Sequence, residues 1–490
     1  MSQSVRDIED YIRSGNASAA RTQLKQVAKG KIPRRDRLKL ATFARRLSRP
    51  ELGMQLLHRL VRPSGGVPCQ ATEEEKVEYA ACLLRIGAGR ESLEILKAVN
   101  TKLFPESLLF QAFALVSQWE YRASIPVLQS YQETPDLTPY QRAVGDANLA
   151  AALVYEREEN AKSFVDELLQ RCQSQGYQLL IGHLLMMEAE DAIFHEHWNK
   201  AESYLNDAKS LLSHDETLES LFIQKWRVIL KLYRDKNPSD IPLLNEVRQQ
   251  ATLLKHWETI RNCDYHQAIA FKDISLLHRV YYGTQFPSLK QRLLSESKLK
   301  LTVQNQYIWT SSEVNKQDCL IVNPFQCLKE GSISYRLLGI LASDFYRPIR
   351  VATVYSQLYP EEYFNPTSSP ARVHQAVTRL RKALESKQID IEIEETKGFY
   401  QLKCPQGHGM TIPLSVSTVS PTTSIRVNRI QENFGFRTFT AKQVAHLLGV
   451  SVWTAIRLLN SEHPKIVKEG MGKKSVYRFR ETEDLKKTAR

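Results

Sequence analysis

Through roughly the first 280 residues, apolar side chains recur at i, i+3 and i+4 on a background rich in Ala, Leu, Glu, Gln and Lys, with few strand-like alternations. That spacing predicts helices. Six segments pair a small residue with a following apolar stripe: ASAARTQL, ELGMQLL, RESLEIL, YRASIPVL, NAKSFVDELL and NKAESYL. Anchored on Ala19, Gly53, Ser92, Ala123, Ala161 and Ala201, they step by 34, 39, 31, 38 and 40 residues, the length of a helix-turn-helix repeat. A short side chain at the anchor lets two helix backbones come close. The expectation is a stacked helical solenoid over residues 1–298, whose concave surface serves as a sensor or docking region for a protein or peptide.

Near residue 300 the pattern breaks into short strand-like pieces, LTVQNQYIWT, DCLIVN and FQCLKEGSIS, punctuated by Asn, Pro and Gly. Three apolar-striped helices follow, YRLLGILASDF, VATVYSQLY and SPARVHQAVTRLRKALE, and then a hairpin, IDIEIEETKGFYQLK. The third helix opens with Ser369 as N-cap and Pro370 at its first position, both favoured where amide groups lack partners. At 100° per residue, Val373, Val377, Leu380 and Leu384 form its buried stripe. The opposite face carries Gln375, Thr378, Arg379 and Lys382, with Arg372 at its border. These donor-rich side chains suit phosphate oxygens and base edges.

Residues 405–423, rich in Pro, Gly, Ser and Thr, read as a flexible linker. Beyond it, SIRVNRIQENFGF predicts a helix, followed by FTAKQVAHLLGVSVWTAIRLLNSE. Thr440 caps one helix, Ala445 leaves room for the next to cross, Gly449 permits the turn and Ser451 caps the second helix. A hairpin, KIVKEGMGKKSVYRF, places Lys473 and Lys474 at its tip. Val452, Trp453 and Ile456 are apolar for a DNA face, which leaves a homodimer contact or thymine-methyl packing as competing uses.

Residues 299–404 resemble the OmpR/PhoB-type winged-helix family through Val373, His374, Arg379, Leu380, Arg381, Leu384, Glu385, Thr396, Gly398 and Tyr400. The resemblance implies a recognition helix in the major groove of double-stranded DNA, with Arg372, Gln375, Thr378, Arg379, Lys382 and wing residue Lys397 as contacts. The wing reads TKGFY where that family commonly has an Arg and a second Gly, and no receiver domain precedes the module. Residues 424–490 resemble the helix-turn-helix of many bacterial regulators, in which LGVS is followed by TxxR, matched here by Thr454 and Arg457. That likeness implies base or phosphate contacts for Thr454 and Arg457 and backbone neutralisation by Lys473 and Lys474. Trp119 and Trp198, just ahead of two anchors, give the first half a likeness to degenerate tetratricopeptide repeats. The expected fold is mainly α, a helical-repeat solenoid followed by two α+β winged-helix domains.

Charge sharpens this picture. The chain of 490 residues carries a net +13, and residues 424–490 hold 14 Lys plus Arg against 6 Asp plus Glu. A polyanionic partner is favoured. Neither the apolar runs nor the N-terminus read as a membrane span or secretory signal, so cytoplasmic residence is expected. The seven cysteines are read as reduced, and neither CPQGH nor FHEHW brings together the four ligands of a zinc site. With no P-loop, dinucleotide-binding, HExxH, GxSxG or kinase pattern, neither an enzyme nor a cofactor is expected. The expected function is DNA-binding transcription regulation. A non-catalytic scaffold subunit, using repeats and winged helices for protein–protein assembly, is the alternative.

Overall fold

The computed structural model describes residues 3–14, 16–63, 68–212, 217–297, 306–310, 319–413, 422–461, 466–470 and 475–479. The chain gathers into two compact units. One comprises residues 1–303, 341–375 and 393–403; the other comprises 304–340, 376–392 and 404–490.

The first unit opens with eight consecutive helix pairs: α1 and α2 (Gln3–Arg13, Ala17–Val27), α3 and α4 (Arg37–Arg46, Pro50–Val61), α5 and α6 (Glu73–Ile86, Gly89–Lys97), and α7 and α8 (Glu106–Val116, Tyr121–Gln132). They continue as α9 and α10 (Pro139–Glu156, Ala161–Gln175), α11 and α12 (Gln178–Phe194, Trp198–Leu212), α13 and α14 (Leu218–Asp235, Ile241–Leu253), and α15 and α16 (Trp257–Phe271, Ile274–Tyr282), before α17 (Pro287–Ser297). From α1 to α16, each helix packs on the next in sequence. The helical repeats expected from the sequence are present, and two further pairs, α13–α14 and α15–α16, extend them.

Small residues govern the close approaches. A Cβ on Gly53 would lie 2.7 Å from Cys82 Sγ and 3.0 Å from the Ala41 carbonyl oxygen, so a larger residue would push α4 away from α3 and α5. Ser92, Ala161 and Ala201 are likewise buried. At two anchors the register differs by one residue: Ala20 and Ser124 are buried, whereas Ala123 is exposed and Ala19 half-buried. Capping boxes at Thr72–Glu75 and Thr138–Gln141 start α5 and α9, each N-cap contributing about 0.5–2 kcal/mol.

Residues 341–375 and 393–403 belong to this unit. They supply strand β3 (Ile349–Arg350), helix α19 (Val351–Leu358), the start of α20 (Ser369–Glu385) and most of a hairpin. The hairpin joins β4 (Glu392–Thr396) to β5 (Phe399–Lys403), and β3 pairs antiparallel with β5 in the order β3-β5-β4. Its two-residue turn has positive φ at both positions, 52° at Lys397 and 80° at Gly398, as a type I′ turn demands.

In the second unit, β1 (Gln306–Thr310) and β2 (Leu320–Val322) flank β6 (His408–Pro413), which runs antiparallel to β1 and parallel to β2. Residues 408–413 therefore form a central strand, where the sequence reads as linker. Met410 and Ile412 are buried within it, and their backbone groups gain ladder partners that composition alone does not reveal. FQCLKEGSIS, expected as strand, instead forms a short 3-10 turn at Pro324–Cys327 and the approach to α18 (Ile333–Leu341). Helices α21 (Thr422–Phe434), α22 (Ala441–Leu448) and α23 (Val452–Ser461) follow, then the antiparallel pair β7 (Ile466–Glu469) and β8 (Val476–Phe479). Ile430, Phe439, Val444, Ala455, Leu459 and Ile466 form the core of this region.

Among the described residues, no helix is long and apolar enough to cross a membrane, and no group of three or more His, Cys, Asp or Glu side chains gathers as a metal site.

Candidate functional site

Helix α20 sorts its residues as its period dictates. Val373, Val377, Leu380 and Leu384 are buried, whereas Gln375, Thr378, Arg379 and Lys382 are exposed in a row. The loop before it is tightly held. The Asn365 side-chain oxygen accepts from the Thr367 and Ser368 amides at 2.9 and 3.3 Å, and the Asn365 amide donates to Ser369 Oγ at 2.9 Å. That loop is also tied to the helical repeats, because the Phe364 amide donates to Glu91 at 3.0 Å and Asn365 Nδ2 lies 3.2 Å from His58 Nε2. Burial raises the Glu91 carboxyl to about 7, with the Phe364 amide and Arg62 pulling the other way.

Arg372 sits apart from the row. Its guanidinium takes Glu362 through both terminal nitrogens, meets Tyr355 Oη at 3.0 Å and lies 4.0 Å from the Tyr359 ring centre. A fork held this way fixes the helix start. Lys397 is exposed at the tip of the β4–β5 hairpin.

The second candidate surface is α23. Thr440 and Gln443 form a capping box on α22, which ends at Gly449 with φ 62°. Ser451 Oγ then accepts the Thr454 amide at 3.1 Å and lies 2.8 Å from Thr454 Oγ1, so Thr454 sits in the first turn of α23. Val452, Trp453 and Ile456 are exposed, Trp453 at 67%. The Arg457 backbone lies in α23; its side chain, together with Lys473 and Lys474, falls outside the described residues.

A third feature lies wholly within the helical repeats, a cavity of about 320 Å³ lined from α8, α9, α11, α13, α15, α16 and α17. Tyr121 and Tyr155 stack at 4.0 Å on one wall, with Trp119 edge-on to both. Arg292 of α17 donates to the Tyr155 carbonyl at 2.7 Å and lies 3.8 Å from that ring's centre. Arg261, 2% exposed, binds Asp344 at 2.7 and 2.8 Å and Glu258 at 2.8 Å. Burial pulls His266 well below the usual histidine range, and a tyrosine hydroxyl, Tyr233 Oη, stands 3.0 Å from its Nδ1. Trp119 and Trp198 both lie near repeat anchors, and of the two, Trp119 reaches this cavity. The other lining residues carry no signal in the sequence as a site.

No known protein family matches the sequence, and no curated protein is similar to it. Among solved structures, the crystal structure of a Rap protein complexed with competence and sporulation factor aligns over 60% of this chain and 87% of that chain, with TM-score 0.42 and 11% identity.

Proposed function

We propose that this chain is a cytoplasmic, non-catalytic DNA-binding transcription regulator. In this reading, residues 299–404 form an OmpR/PhoB-like winged helix and residues 424–490 a second one, with α20 and α23 as recognition helices. The helical repeats form the surface that takes a protein or peptide partner.

The observation that carries the reading is the exposed row Gln375, Thr378, Arg379 and Lys382 above a fully buried stripe. A helix with that division can enter a groove without disturbing its own core, and its exposed groups can donate to phosphates and to guanine or adenine edges. The order of elements adds support. Around α20 it runs helix, short strand, two helices and a hairpin, with the short strand paired to the last hairpin strand. Around α23 the same order recurs, with a single bridge from Phe439 to Tyr477 in place of the short strand. Two linked modules raise one another's effective concentration on adjacent sites.

The test is selection of randomised duplex DNA by the full chain at about physiological salt, followed by sequencing of the retained fraction. An enriched motif that weakens in Arg379→Ala supports the reading; no retention even at low salt removes it. The scaffold alternative draws on the exposed Val452, Trp453 and Ile456 of α23, an apolar cluster of a kind that protein interfaces use. Loss of self-association or partner capture in Trp453→Ala, with DNA selection unchanged, would assign α23 to that role.

A further inference from the structure

Two opposite charges line the repeat cavity without forming an ion pair among the described residues. Lys225 of α13 and Glu190 of α11 both line it and are both partly exposed. Among the described residues, neither side chain makes a hydrogen bond or an ion pair, with each other or with a neighbour. By contrast, Arg261 and Arg292 on the same walls are held by Asp344 and Glu296. Burial pulls the Lys225 ammonium down and pushes the Glu190 carboxyl up, and each charge acts on the other in the opposite sense. An opposed cation and anion drawn partly out of water are costly unless something completes them.

Apolar surface surrounds the pair. Lys225 Nζ lies 4.2 Å from the Trp226 ring centre and 5.8 Å from that of Phe222, while Met186 and Met187 line the cavity from α11. Thioethers of this kind adapt to varied apolar shapes. Among the described residues, Asn262 Oδ1 is buried without a hydrogen-bond partner, so acceptor capacity remains on the walls. A volume of about 320 Å³ stands at the small end of the range for small-molecule sites, about 300–1,000 Å³.

We propose that this cavity binds a small zwitterion with an apolar or aromatic body, of the amino-acid class, Lys225 holding its carboxylate and Glu190 its ammonium group. The same chemistry occurs in a free amino acid and in a short peptide with free ends. This gives the docking role proposed for the repeats a definite ligand class, and it is read from ligand binding alone, so a failure of DNA selection would leave it standing.

The experiment is calorimetric titration of the full chain, with thermal melting as a second readout. The probes are L-phenylalanine, L-leucine and L-methionine, their N-acetyl and methyl-ester forms, the dipeptides Phe-Phe and Leu-Phe, and inorganic phosphate. The expected result is saturable binding of at least one free amino acid or dipeptide, weakened about tenfold or more by blocking either charged end. Preference between amino acids and dipeptides then identifies the source. Lys225→Met should abolish binding while keeping or raising the melting temperature, because it removes a charge that burial disfavours and retains the apolar stem against Trp226. Glu190→Gln should weaken the free forms and leave the N-acetyl forms unchanged. Equal binding of blocked and free probes, binding of phosphate alone, or binding of none would each overturn the proposal. The blocked-probe comparison uses the native chain, so it decides the question even if a variant fails to fold.

Discussion

Helices α20 and α23 occupy the same place in the same order of elements, yet they present opposite chemistry. On α20 the exposed row is Gln375, Thr378, Arg379 and Lys382, and the apolar positions are buried. On α23 the first exposed positions are Val452, Trp453 and Ile456. Their approaches differ too. The loop before α20 is tied to the helical repeats through Glu91 and His58, whereas α23 follows a short turn held by Gly449 and Ser451. A shared architecture therefore does not fix a shared partner, because the outer face of a helix is set independently of the stripe that packs it.

The buried stripe offers the largest effect. Leu380→Ala in α20 should lower stability by about 2–5 kcal/mol, and Leu459→Ala in α23 by a similar amount, measured by denaturant unfolding. Equal losses would establish that the two helices are equally committed to their cores, leaving the outer faces as the difference.

The Glu91 tie comes next. The folded state holds the Glu91 proton more tightly than the unfolded chain does, since burial lifts this carboxyl from 4.5 to about 7. Stability should fall as pH rises from about 4.5 to 7, by an amount on the order of 2–3 kcal/mol, and Glu91→Gln should flatten that part of the profile. Unfolding midpoints across this range, in the two proteins side by side, measure it.

On the outer face, Arg379→Ala should cost about 1–3 kcal/mol of affinity for the selected duplex without changing stability. The smallest effect belongs to Trp453→Ala, with stability changed by no more than about 0.5 kcal/mol. If that variant nevertheless loses DNA affinity as strongly as Arg379→Ala, the chemical contrast between the helices does not separate their roles.

Local regularity is legible in the sequence, and long-range convergence is not. The division of α20 follows from a single helical period, so the spacing of Val373, Val377, Leu380 and Leu384 is enough to assign them to the buried face. The repeat anchors at Ala19 and Ala123 slip by one because Ala20 and Ser124, next to them, are equally small. Strand β6 is hidden because its partners lie in distant sequence, at residues 306–310 and 320–322. The cavity is hidden for the same reason. Each of its helices contributes a few side chains, and neither Lys225 nor Glu190 is marked out by its own sequence neighbours.

The pairing of Arg261 with Asp344, 83 residues apart, bears on how the protein is made. The first unit takes in residues 341–375 and 393–403, so its helical repeats leave the ribosome well before their last segments do. At about 5–20 residues per second, Arg261 has Glu258 beside it but waits several seconds or more for Asp344, in a wall that is not yet finished. A nascent chain halted between residues 303 and 341 should be an early client for chaperones, and the full-length chain should not.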